Sequence, residues 1–93
     1  MESVEEQLSH LRRLAAELAR HEFRAEVVTG GRRPYLQVAN PDVRELSERV
    51  VCQPASDGTW CFLWSWRHLI GTVDDIGMTA RRIMTVLRSV DGR

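Results

Sequence analysis

The residues best suited to chemistry by type and spacing stand together in the second half of the chain. Trp60, Phe62, Trp64 and Trp66 alternate with Cys61, Leu63 and Ser65, and Arg67 and His68 follow at once. An extended strand sends successive side chains to opposite faces. The four rings then share one face, and Thr59, Cys61, Leu63, Ser65 and Arg67 share the other. A helix would scatter the rings around its axis, so the spacing predicts a strand. Such a face does contact chemistry rather than bond-making: it supplies area for association and a stacking surface for a planar ligand. Trp60, Phe62, Trp64, Trp66, Arg67 and His68 are therefore the candidate contact set. Trp66, at the strand end, is the tryptophan expected to reach solvent.

A second candidate is Arg32-Arg33, which follows Gly30-Gly31 at what reads as a hairpin tip. Paired guanidinium groups can grip an anion or a nucleic-acid backbone. The formal net charge is zero, which argues against nucleic acid as the main partner. Arg12-Arg13 and Arg81-Arg82 lie in helical patterns and read as solvated. Every basic residue is arginine and none is lysine, a habit expected of a GC-rich genome.

The remaining reactive side chains form no set. Cys52 and Cys61 are too few for a disulfide scaffold and have no metal spacing. His10 reads as a solvated surface histidine, His21 as a cation at a helix end, and His68 as exposed. A Cys52–His68 nucleophile pair is conceivable but not indicated. Asp57, Asp74 and Asp75 all have turn or capping roles. No catalytic residues, metal ligands or cofactor motif emerge, so an enzyme is the weaker expectation.

The elements that must position these residues follow from periodicity. Ser3 and Glu6 form a capping box. Val4, Leu8, Leu11, Ala15 and Leu18, widened by Leu14, then mark an amphipathic helix ending between Arg20 and Glu22. Residues 23–29 and 35–39 read as a hairpin about Gly30-Gly31. Asn40-Pro41 ends the second strand, and a connection pinned by Val43 and Leu46 leads to a third strand at 48–53. Asp57-Gly58 marks the next turn. With a loop at 54–58, Cys52 faces Trp60 and Val50 faces Phe62. After the aromatic strand, residues 68–70 suit a short edge strand. Thr72 with Asp75 repeats the capping box before a helix striped by Ile76, Ala80, Ile83, Leu87 and Val90, with Met84 beside it.

The fold expected is α+β: one domain over residues 1–93 in the order α-β-β-β-β-(β)-α. Its antiparallel sheet has four to five strands, as two hairpins plus a short edge strand, with both helices on one face. The aromatic strand is apolar on both sides, so two layerings stay open. The rings fill the core beneath the helices, or they lie on the uncovered face as a contact surface. A chain of this length has a thin core, and a dimer interface would supplement it.

The strings Leu36-Gln37-Val38-Ala39-Asn40-Pro41, Asp57-Gly58-Thr59-Trp60 and Trp64-Ser65-Trp66 resemble small uncharacterised proteins of high-GC Gram-positive bacteria. That resemblance implies a bacterial origin and brings no activity. The order helix, sheet, helix is also similar to the secretion-chaperone-like (YbjN-type) fold of small dimeric binding proteins. No membrane-length apolar run is present, and the acidic start is unlike a secretory signal, so a cytoplasmic protein is expected. The leading function is a non-enzymatic binding or assembly module that uses the tryptophan-rich strand to hold a partner protein or to form a homodimer. The alternative is a small-molecule binder or small enzyme with a pocket between helices and sheet. A nucleic-acid accessory factor working through Arg32 and Arg33 is third.

Overall fold

The computed structural model describes residues 4–88. Helix α1 spans Val4–Arg20 and helix α2 spans Ile76–Arg88. Between them run β1 (Arg24–Val28), β2 (Tyr35–Ala39), β3 (Ser47–Pro54), β4 (Trp60–Trp64) and β5 (Leu69–Thr72). Each strand pairs antiparallel with its successor, in the order β1-β2-β3-β4-β5. This is the expected α+β architecture, with the edge strand present as the fifth. Ser3 of the expected cap and Val90 of the expected stripe lie outside the described residues.

One core joins the layers. Leu11, Leu14 and Leu18 of α1 and Ala80, Ile83, Met84 and Leu87 of α2 meet Leu36, Val38, Val50, Cys52, Phe62, Trp64 and Ile70 of the sheet. The buried stripe of α1 is Gln7, Leu11, Leu14 and Leu18. Leu8 and Ala15 are only half-buried and Val4 is exposed, so the helix is rotated from the stripe that apolar spacing suggests.

The reason for that rotation lies in β2. Leu36 stands opposite Val50, and continuing this register two residues brings Pro34 opposite Cys52. Proline has no amide hydrogen, so it cannot donate to the Cys52 carbonyl. The Gln7 side chain donates instead, Nε2 to O at 3.1 Å, from a residue only 4% exposed. A buried polar side chain on the helix thus replaces a missing ladder bond.

The β3–β4 register differs from the expected one by two residues. Cys52 stands opposite Phe62, Val50 opposite Trp64 and Pro54 opposite Trp60. The five-residue connection is 55–59, one residue further on than expected, because β3 runs on to Pro54 and the chain closes through Ala55 N–H to Thr59 O at 2.8 Å. A slip of two keeps every side chain on its original face, so the layering survives.

The helix ends are set locally. Phe23 N–H donates to Leu18 O at 3.1 Å and Glu22 N–H to Ala19 O at 2.9 Å. With Glu22 at φ 69°, this is the Schellman stop, made here with glutamate where glycine is usual. Asp75 caps α2 by accepting the Met78 amide at 3.2 Å. Thr72, expected in that role, is instead the last residue of β5. α2 lies so close to β5 that a Cβ on Gly71 would collide with the Thr79 side chain. Glycine is required there for approach rather than for backbone freedom.

Asn40 holds the β2–β3 connection. Its Oδ1 accepts the Asp42 and Val43 amides at 2.7 and 3.0 Å, and its Nδ2 donates to Leu87 O at 3.1 Å. The connection is thereby tied to α2. Val43, expected to anchor it, points to solvent, and Leu46 is half-buried.

Two substitutions test these assignments by urea denaturation. Gln7→Leu keeps the volume but strands the Cys52 carbonyl, and should lower stability by about 1–3 kcal/mol; unchanged stability would refute the replacement of the proline amide. Glu22→Gly should raise stability by about 1 kcal/mol by removing left-handed strain from a residue with a Cβ.

Candidate binding surface

The structure decides between the two layerings. Phe62 is 0% and Trp64 4% exposed, both within the core beneath the helices. Trp60 is half-buried against the same core. The rings therefore fill the layer between helices and sheet, and Phe62 and Trp64 present no surface to a partner. Large rings fill a thin core efficiently, each contributing about 2–3 kcal/mol of apolar burial.

Trp66, Arg67 and His68 lie beyond β4 in the tight β4–β5 turn. Arg67 N–H donates to Trp64 O at 2.8 Å, and Trp64 N–H to His68 O at 2.9 Å. Trp66 is 53% exposed and stacks on Trp64, with ring centroids 5.1 Å apart and planes within 4°. One indole of the pair belongs to the core and the other to the surface. Arg67 and His68 are exposed.

With the rings buried, the surface of interest is the other face of the sheet. Val51 stands opposite Leu63, and Leu63 opposite Leu69. These three form a transverse apolar row on the face that neither helix covers. Val51 and Leu63 are half-exposed, and Leu69 is 57% exposed. The bulge at Phe62/Leu63 brings Leu69 into line and lets Ile70 turn into the core. Tyr35 lies along the same face, and the Arg49 guanidinium sits 4.8 Å from the centre of its ring. The stronger aromatic pattern hides this row in the sequence, although alternation along β4 places Leu63 on the face opposite the rings.

Arg32 and Arg33 lie in the exposed β1–β2 loop, as expected. Arg33 lines a cavity of about 130 Å³ that Arg67 also lines. Two candidates that looked unrelated in sequence are thus brought together.

The thiols are inert by placement. Cys52 faces the core and Cys61 the opposite side of the neighbouring strand, where it is opposite Gln53. Side chains leaving opposite faces cannot form a disulfide without breaking the ladder. Burial, helped by the neighbouring Cys61 and Glu6, pushes the Cys52 thiol up to about 12. Burial also raises Cys61, with Asp57 adding to it, and the Cys61 thiol donates to Thr59 O at 3.5 Å.

His10 departs from its expected solvated state. Its ring packs on Trp60 with centroids 5.3 Å apart. Among the described residues neither ring nitrogen has a hydrogen bond, and Glu6 Oε2 is 3.7 Å from Nε2. His21 does sit at the end of α1, 3.3 Å from Glu17, whose carboxyl is held below its ordinary range by Arg20 and His21 against a desolvation that works the other way.

The class is therefore a two-layer α+β domain: an antiparallel five-stranded meander with two helices on one face and the other face bare. Comparison of the chain with protein-family models, curated proteins and solved structures finds no match. No helix among the described residues is long and apolar enough to cross a membrane. No group of three or more metal-ligating side chains occurs among them either.

The Cys52 placement fixes a pH dependence. The fold favours the neutral thiol, so the unfolded chain releases its proton near 9 while the folded chain keeps it until about 12. Stability from this group is full below pH 9 and is lost as pH rises through that window. Denaturation midpoints should fall more steeply there in the native chain than in Cys52→Ala. Native Cys52 should also resist a thiol reagent at pH 8 until urea is added. Prompt labelling of the folded chain would contradict its burial.

Proposed function

We propose that this chain is a small binding and assembly module, not an enzyme, whose contact surface is the uncovered sheet face. The observation that carries this reading is the row Val51, Leu63 and Leu69 lying bare across three strands. An apolar stripe rimmed by polar groups marks an association surface. Here the rim includes Arg24, Glu26 and Arg49. The tryptophan-rich strand takes part through its reverse side, since its rings support the layer below.

A second copy of the chain is the favoured occupant. Two bare sheet faces stack at about 10 Å with interdigitating side chains, and mixed charges at the rim let a face complement itself. A chain of this size also gains core by doubling it.

Trp66 favours a second reading. An indole stacked on one side by Trp64 and otherwise exposed suits a planar ligand on its free side. Saturable quenching of tryptophan fluorescence by a planar metabolite in monomeric protein would support it.

Sedimentation equilibrium tests the assembly. The native chain should show twice its monomer mass at high concentration. Leu63→Arg and Leu69→Asp should each return it to the monomer with unchanged circular dichroism. A native monomer across the whole concentration range would rule out self-association.

A further inference from the structure

Arg33 lies in the β1–β2 loop and Arg67 in the β4–β5 turn, yet both line the cavity of about 130 Å³, which Gln7 and Cys52 line from the helix side and Val51 and Leu63 from the uncovered side. Val51 and Leu63, opposite each other in the ladder, give it an apolar wall, and Gln53 and Ser65 add polar groups. No carboxylate lines it. Among the described residues neither guanidinium has an ion-pair or hydrogen-bond partner. Arg67 also holds φ at 70°, where asparagine or glycine sits with less strain. An arginine there carries a local cost, which is common at binding sites.

We propose that this cavity binds a small carboxylate carried on a short branched apolar stem. Two guanidinium groups with no acid between them attract an anion, and their planar forks match a carboxylate. Val51 and Leu63 offer contact to an apolar stem, which bare phosphate lacks. The volume is close to the roughly 150 Å³ that admits a benzene-sized group in an apolar cavity. The carboxylate belongs to a free acid or to the end of a peptide chain. The site shares Val51 and Leu63 with the proposed assembly surface but does not rest on assembly.

The test is a ¹⁵N NMR titration with isovalerate, run on the native chain and on Leu69→Asp, so that loss of the dimer and loss of the site read out separately. Isovalerate at millimolar concentration should give saturable shifts at the amides of Gln53, Leu63 and Ser65 in the Leu69→Asp chain. Its uncharged analogue 3-methylbutan-1-ol should give none, and inorganic phosphate weaker ones. Arg33→Gln and Arg67→Asn should each weaken isovalerate roughly tenfold, the loss expected for one charge-assisted contact. Asparagine preserves the left-handed turn, so Arg67→Asn reports on the guanidinium rather than on folding. A leucine-ending peptide that competes as the free acid but not as the amide identifies a chain terminus as the source; no competition identifies a free acid. Absence of saturable shifts, an equal response to the alcohol, tighter phosphate binding, or unaffected arginine variants would each overturn the assignment.

Discussion

The burial of Phe62 and Trp64 beneath the two helices is the constraint on which the rest depends. Both rings come from one five-residue strand, and both lie on its helix-facing side. Because side chains alternate along a strand, placing these rings in the core commits Cys61 and Leu63 to the other face. Pairing then carries that choice across the sheet. Val50 and Cys52 follow the rings inward, and Val51 and Gln53 follow Leu63 outward. A single decision about one phenyl and one indole group sets the polarity of five strands.

The consequence is a sheet with one satisfied face and one bare one. Two helices with one apolar stripe each suffice to cover one side of a five-stranded meander, and no third element is present among the described residues. The edges are better protected than the face. Arg24 and Glu26 stand exposed on β1, and Arg82 donates to the Ile70 carbonyl of β5. Charged, short or occupied edges discourage strand addition. What remains open to a partner is thus the face, where Val51, Leu63 and Leu69 lie between arginines contributed by loops.

Several local solutions allow this layering. Pro34 cannot donate to β3, and Gln7 reaches across from the helix to do so. Gly71 removes a side chain where α2 presses on the sheet, and Thr79 fills the space against Thr72 O and Asp75 O. Asn40 satisfies two loop amides and one helix carbonyl from a buried position. In each case a residue that looks ordinary or misplaced in its own segment answers a need created by a neighbour distant in the chain.

The strand at the tryptophans, the Gly30-Gly31 hairpin, the Asp57-Gly58 turn and both helices were legible in the sequence because each rests on local physics: alternation, turn conformation, amphipathic period. So was the number of layers, since two single-striped helices need one apolar surface. The side on which the rings lie was not legible, because β4 is apolar on both sides and period-two alternation assigns residues to faces without saying which face is covered. Nor were the rotation of α1 onto Gln7, the half-burial of His10, or the meeting of Arg33 with Arg67. Each depends on contacts between residues far apart in the chain, and those exist only once the sheet has paired and the helices have closed on one side of it.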